Sequence, residues 1–171
     1  MFAIQLIHLP QNHKNHDKLQ KIRPLLDCLN RTFQENATNS ESQSVDESMI
    51  KFKGRDSKKQ YMPAKPIKRG FKAWCRCDSK TGYVYQFDIY TGKDKESYEE
   101  GLRYRVVMKL GGNLPRNTHL VFDNFFSSLA LMDALYHRCI LATGTVRMNR
   151  KGLPKDLYPT RPKTPEERRQ G

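Results

Sequence analysis

Ser44-Val45-Asp46-Glu47-Ser48-Met49-Ile50-Lys51-Phe52-Lys53-Gly54-Arg55 sets an aspartate among apolar residues and then breaks into a basic loop. Val45, Met49 and Ile50 around Asp46 predict a strand over residues 45–53. A carboxylate in such a stretch is costly to bury unless it pairs or binds a cation. The same arrangement returns at Leu120-Val121-Phe122-Asp123-Asn124-Phe125-Phe126, where a short buried strand from His119 to Phe122 ends at Asp123. Two aspartates brought together on one sheet make a seat for Mg²⁺. That ion takes hard oxygen ligands and ordinarily uses one or two carboxylates.

Working outward, residues 17–36 carry a helical signal, with Leu25, Leu26, Leu29 and Phe33 at three- and four-residue spacing and Pro24 suited to a first turn. Asn36 to Ser44 is Ser/Asn-rich and reads as a linker, so the domain boundary is expected over residues 37–44. Beyond the first strand, Gly54 to Gly70 is a basic loop whose Pro63 and Pro66 argue against a central strand. Phe71, Ala73, Cys75 and Cys77 alternate with Lys72, Trp74 and Arg76. Tyr83, Tyr85, Phe87 and Ile89 alternate in the same way with Val84, Gln86, Asp88 and Tyr90. The turn cluster Asp78-Ser79-Lys80-Thr81-Gly82 between them makes a β-hairpin. Val106, Val107 and Leu110 predict a short helix stopped by Gly111-Gly112. Ser127 or Ser128 caps a helix with Leu129, Met132, Leu135 and Tyr136 on its inner face, and Cys139 to Val146 is a last strand. Strand, hairpin, helix, strand, helix, strand is the order of a mixed α/β sheet. Asp46 on the first strand and Asp123 ending the fourth is the placement of an RNase H-like sheet, where those strands are neighbours.

At 171 residues the chain has single-domain length, and its hydrophobic fraction of 37% is modest. No apolar run approaches the roughly 18 residues of a membrane span, and the apolar start Met1-Phe2-Ala3-Ile4 lacks a basic leader. Cys28, Cys75, Cys77 and Cys139 are too scattered for a disulfide framework, and Cys75-Arg76-Cys77 has the wrong spacing for zinc. The net charge of +13 is uneven. Residues 51–93 hold twelve basic and three acidic residues, and residues 147–171 hold eight and three, while the segments between and before are near neutral. Two separated basic blocks point to a polyanion partner rather than to a merely solvated surface. Lys53, Arg55, Lys58, Lys59, Lys65 and Lys68 in the first block, and Arg147, Arg150 and Lys151 in the second, are the candidate phosphate contacts. Such residues on loops beside an acidic site grip DNA without reading bases.

Several motifs together resemble the piggyBac transposase family. They include Val45-Asp46-Glu47-Ser48-Met49, Phe52-Lys53-Gly54-Arg55, Gln60-Tyr61-Met62-Pro63 and Lys65-Pro66-Ile67-Lys68. Asp78-Ser79-Lys80-Thr81-Gly82-Tyr83, Tyr90-Thr91-Gly92-Lys93, Phe122-Asp123-Asn124-Phe125-Phe126, Ala142-Thr143-Gly144-Thr145-Val146-Arg147 and Asn149-Arg150-Lys151-Gly152-Leu153-Pro154 continue the series in order. Asp17-Lys18-Leu19 and Lys21 to Asp27 resemble the helical segment preceding that family's catalytic domain. Two positions depart from the pattern: Arg69, where many relatives carry an aromatic residue, and Arg103, where a glycine is common.

The resemblance implies a cut-and-paste DNA transposase with an RNase H-like core, acting on transposon ends and TTAA targets, as a homodimer in the intact family. Three aspartates hold Mg²⁺ (or Mn²⁺) there. Asp46 lines up with the first and Asp123 with the second, as catalytic and metal-binding residues. The third lies downstream of Gly171 in the family, as does a cysteine-rich zinc domain. Residues 1–36 are therefore expected to be a helical segment, 45–158 a partial catalytic domain and 159–171 a disordered tail. The sheet is expected to be incomplete and the fragment catalytically incomplete, weakly metal-holding, nuclear and free of membrane contact. The alternative is a domesticated basic nucleic-acid-binding module without metal chemistry.

Overall fold

A computed structural model gives the protein's fold and describes residues 17–92 and 101–147, together with Gly152 and Pro154. The expected mixed α/β sheet is present. Its centre is β1 (Ser42–Lys51), antiparallel to β3 (Arg69–Asp78) and parallel to β5 (His119–Phe122). Next to β5, and parallel to it, lies β6 (Leu141–Gly144). On the other side, β4 (Val84–Ile89) and the two-residue β2 (Gln60–Tyr61) pair with different parts of the outer edge of β3.

Both faces of the β1–β3 pair are covered, which alternation alone leaves open. On one face Val45, Trp74, Leu120 and Phe122 meet α2 (Gly101–Leu110) through Val106, Val107 and Leu110, and α3 (Leu129–His137) through Leu131 and Leu135. On the other, Ala73 and Ile89 meet Leu19 and the Leu26 side of α1 (Arg23–Glu35). The first core holds most of the large buried side chains, so it carries most of the apolar burial that stabilises the fold.

The hairpin between β3 and β4 is fixed by Asp78. Its carboxylate accepts from the Lys80 and Thr81 N–H groups and the Thr81 hydroxyl at 2.9, 2.6 and 2.8 Å, while Gly82 takes a φ of 73°. Hydrogen bonds from Ser40 and Thr81 hold that carboxyl well below the usual carboxylate range. On α1, Asn30 reaches β4: its Oδ1 accepts from the Phe87 N–H at 2.8 Å and its Nδ2 donates to the Phe87 carbonyl at 3.0 Å. Arg76 is buried on the larger core side, donating to Asn39 and Gln43 and lying 5.3 Å from the Tyr85 ring. Burial lowers its pKa.

Several boundaries and faces differ from the sequence expectation. The first strand begins at Ser42, inside the expected linker, because Gln43 already pairs with Asp78 and Leu120. The helix over 17–36 starts at Arg23, after a turn in which Asp17 accepts from Leu19 N–H and from Arg23 at 2.7 Å. Leu25 is 58% exposed, since α1 turns Leu26 and the Asn30 contact toward the sheet. On α3, Ser128 is the cap, accepting from Leu131 N–H. The inner pair is Leu131 and Leu135, one helical turn apart, while Leu129 and Tyr136 are 55% and 77% exposed. Cys139 belongs to the turn closing α3, with a φ of 57° and its N–H bonded to the Tyr136 carbonyl, so the last strand starts only at Leu141. The expected tail over 159–171 lies outside the described residues.

Candidate functional site

The last residue pair between β1 and β5 is Val45 with Phe122. The residue after each of these is an aspartate: Asp46 is still on β1, and Asp123 opens the turn that follows β5, so the register brings both to the same end of the sheet, at the notch where β5 leaves it. Both are exposed. Asp46 takes the Glu47 N–H at 2.7 Å, and Asp123 takes the Phe125 N–H at 2.8 Å while its carbonyl receives the Ser127 hydroxyl.

The notch is electrostatically graded. Partial burial raises the pKa of Asp46, with the neighbouring carboxyl of Glu47 adding to it against the pull of Lys65. Burial pushes Glu47 the same way, but the hydrogen bond from Lys65, at 3.1 Å, and the ammonium of Lys72 bring it below its ordinary value. Among the described residues no group of three His, Cys, Asp or Glu side chains is placed to hold a metal. Asp133, the further acid on α3, is exposed and lies 3.6 Å from His137.

The basic loop folds into a shallow groove of about 610 Å³ outside β2, lined by Lys51, Lys53, Lys59, Lys68 and Arg69 with Phe52 and Tyr61. Arg69 lies 4.8 Å from the centre of the Tyr61 ring. The candidate phosphate contacts are not equivalent. Lys53, Arg55 and Lys68 are exposed, and Lys59 donates to the Gly54 carbonyl at 2.8 Å. Lys58 is paired with Asp56 at 2.9 Å, and Lys65 is spent on Glu47. Arg147 is brought beside the carboxylate notch, donating to the Asn124 side chain at 2.9 Å. Arg150 and Lys151 lie outside the described residues.

A family model described as Transposase IS4 matches residues 2–170. The human PiggyBac transposable element-derived protein 3 is 38% identical over 137 residues, covering 77% of this chain and 23% of that protein. The human PiggyBac transposable element-derived protein 2 is 32% identical over 151 residues, covering 82% and 25%. The chain belongs to the piggyBac transposase family. A cryo-EM structure of the piggyBac transposase synaptic complex with hairpin DNA matches with a TM-score of 0.75 at 27% identity, over 84% of this chain and 30% of that one. The chain spans about a quarter of the length of the curated piggyBac relatives it matches.

Against the family pattern, both departing arginines settle on aromatic rings: Arg69 on Tyr61, and Arg103 at 4.5 Å from the Phe125 ring. One residue was not singled out from the sequence. Lys72 sits with its Nζ 3.8 Å from the Trp74 ring and 5.2 Å from that of Phe125, and its field reaches Glu47, Lys65, Asp46 and Asp123. Burial lowers its pKa. Its only sequence signal was its alternation with Phe71 and Ala73, which marks a strand residue and nothing more.

Proposed function

We propose that this chain supplies the two-aspartate metal seat and the DNA-gripping rim of a piggyBac-type cut-and-paste DNA transposase. The observation that supports the reading is the Val45–Phe122 register, because Asp46 and Asp123 are the residues that follow that pair. Asp46 and Asp123 would hold Mg²⁺ (or Mn²⁺), and the donor set fits, being carboxylate oxygens. A bound ion would activate an attacking water or 3′-hydroxyl and stabilise the charge on a phosphodiester. The chain's own part is placement. Lys65 pairs with Glu47 beside Asp46, Arg147 lies next to the Asp123 turn, and the groove along Lys53, Lys59 and Lys68 takes backbone phosphates. Transposon ends and TTAA targets as substrates, a homodimeric assembly and a nuclear address follow from the family resemblance as parts of the same proposal.

Within that reading, a polypeptide of residues 1–171 binds DNA without cutting it. Glu47, the next carboxylate along β1, is paired with Lys65 at 3.1 Å. The second reading, a basic nucleic-acid-binding module without metal chemistry, draws on the absence of a third ligand among the described residues.

Fluorescence anisotropy with a duplex, titrated over salt, tests the first claim. Log affinity should fall with log salt, and replacing Lys53, Lys59 and Lys68 by Gln should flatten the slope by about 0.9 for each phosphate no longer neutralised. A flat dependence, or a triple variant matching the parent, overturns DNA binding by this groove. Mn²⁺ binding followed by electron paramagnetic resonance should weaken in Asp46→Asn and Asp123→Asn, and unchanged binding would favour the module without metal chemistry. Metal-dependent nicking by residues 1–171 that vanishes in both variants would overturn the inactivity.

A further inference from the structure

Behind the carboxylate notch, on the α2 side of the sheet, lies a second cleft of about 580 Å³. It is lined by Lys72, Trp74, Tyr90, Arg103, Phe125 and Ser128 among others. Its volume suits one small organic group rather than a duplex. Trp74 is its floor and is 2% exposed. Phe125 stacks on Trp74 with ring centres 5.4 Å apart and planes 21° from parallel, and Tyr90 meets Trp74 edge-on at 6.2 Å. Two cations stand over these rings, Lys72 on Trp74 and Arg103 on Phe125.

Lys72 and Lys65 make an informative pair. Lys65 donates to Glu47. The Nζ of Lys72 has no hydrogen-bond acceptor among the described residues, although its side chain is partly buried and lies within the field of the same carboxylates. A half-buried ammonium with no carboxylate bound to it is free to take an anion that enters the cleft. The cleft therefore offers three things together: a flat aromatic wall, an uncommitted ammonium, and a guanidinium held over a ring. Phe125 is two residues from Asp123, so the cleft and the metal seat are joined by a single turn.

We propose that this cleft receives one unpaired nucleotide adjoining the scissile linkage, with its base against Phe125 and Tyr90 and its phosphate on Lys72. The inference rests on the DNA-transposase reading above. Base–aromatic stacking tolerates every base, so the cleft favours unpaired over paired strands without choosing a sequence. Arg103 either stacks on the far side of the base or adds to the phosphate contact. The lysines of the outer groove hold the duplex itself.

The test uses two forms of one duplex, blunt and with a short single-stranded overhang carrying 2-aminopurine, bound to the protein at fixed salt. The overhang form should bind about tenfold more tightly, from one stacked base, and the 2-aminopurine emission should change on binding. Phe125→Leu keeps apolar bulk beside Trp74 while removing the aromatic face. Arg103→Gln changes an exposed side chain and spares the core. Lys72→Gln removes the ammonium. Each should shrink the overhang preference and the emission change while leaving blunt-duplex affinity within about twofold. Equal affinity for both duplexes with no emission change overturns the nucleotide cleft, even where duplex binding persists. Loss of all DNA binding in the parent protein overturns the transposase reading instead. Equal losses on both duplexes in the Arg103 and Lys72 variants would mean that these cations serve the duplex, and would also overturn the proposal.

Discussion

Among the described residues, two cationic clefts are built in opposite ways. The outer groove gathers Lys51, Lys53, Lys59, Lys68 and Arg69 on a loop held to the sheet by a two-residue strand. The inner cleft has fewer cations, but they rest on Trp74 and Phe125, at the junction of β3, α2 and the turn after β5. The first is a charge-dense surface with little beneath it; the second is the mouth of the core. The outer groove should tolerate substitution and lose affinity in increments. The inner cleft should couple recognition to folding.

The sharpest way to break this contrast is Trp74→Ala. Removing a ring that touches Phe125, Phe126 and Tyr90 should cost about 3–5 kcal/mol, measured by denaturant unfolding. A loss below about 1 kcal/mol would show that the inner cleft does not stand on the core. Gly70→Ala ranks next. A Cβ at Gly70 would lie 2.0 Å from the Ile50 carbonyl oxygen, where β2, β3 and the end of β1 meet. The strands must shift, so stability should fall by about 1–3 kcal/mol and the outer groove should lose its shape. An unchanged midpoint together with an unchanged salt slope would mean that the groove does not depend on this close approach. The smallest effect is Tyr61→Ala. Tyr61 is 59% exposed and its ring lies against Arg69, so unfolding should move by no more than about 0.5 kcal/mol. A larger shift would place the outer groove, too, on a hidden core.

The same contrast explains what could be read in the sequence. Alternation exposed β3 and β4, the turn cluster exposed the hairpin, and an apolar run ending in Asp123 exposed β5 with its correct limits. Each of those signals is local. Asp46 and Asp123 could be placed on neighbouring strands because strand order follows from connection rules and the family pattern. Local signals failed where the deciding partner is distant. The pairing of Gln60–Tyr61 depends on the edge of β3, not on two residues inside a proline-containing loop. The inner face of α3 is set by what Leu131 and Leu135 meet, and helical periodicity left the choice between that face and one through Leu129 and Tyr136. Lys72 acquires its setting from Phe125, 53 residues on, and from carboxylates on β1 and in the turn after β5. Charge density pointed to the outer groove for the same reason that it missed the inner cleft. Runs of lysine are visible in a sequence, and one lysine turned onto a tryptophan is not.

The amide of Asn30 has a consequence for how this sheet can meet others. A free strand border offers alternating donors and acceptors to any extended chain nearby, and sheets polymerise through such borders. At β4 the Asn30 side chain already occupies both the N–H and the carbonyl of Phe87, as an extra strand would. An incoming chain must evict α1 before it can lengthen the sheet in that direction. Growth by strand addition is thereby steered away from the hairpin and toward β6, which has no such plug among the described residues.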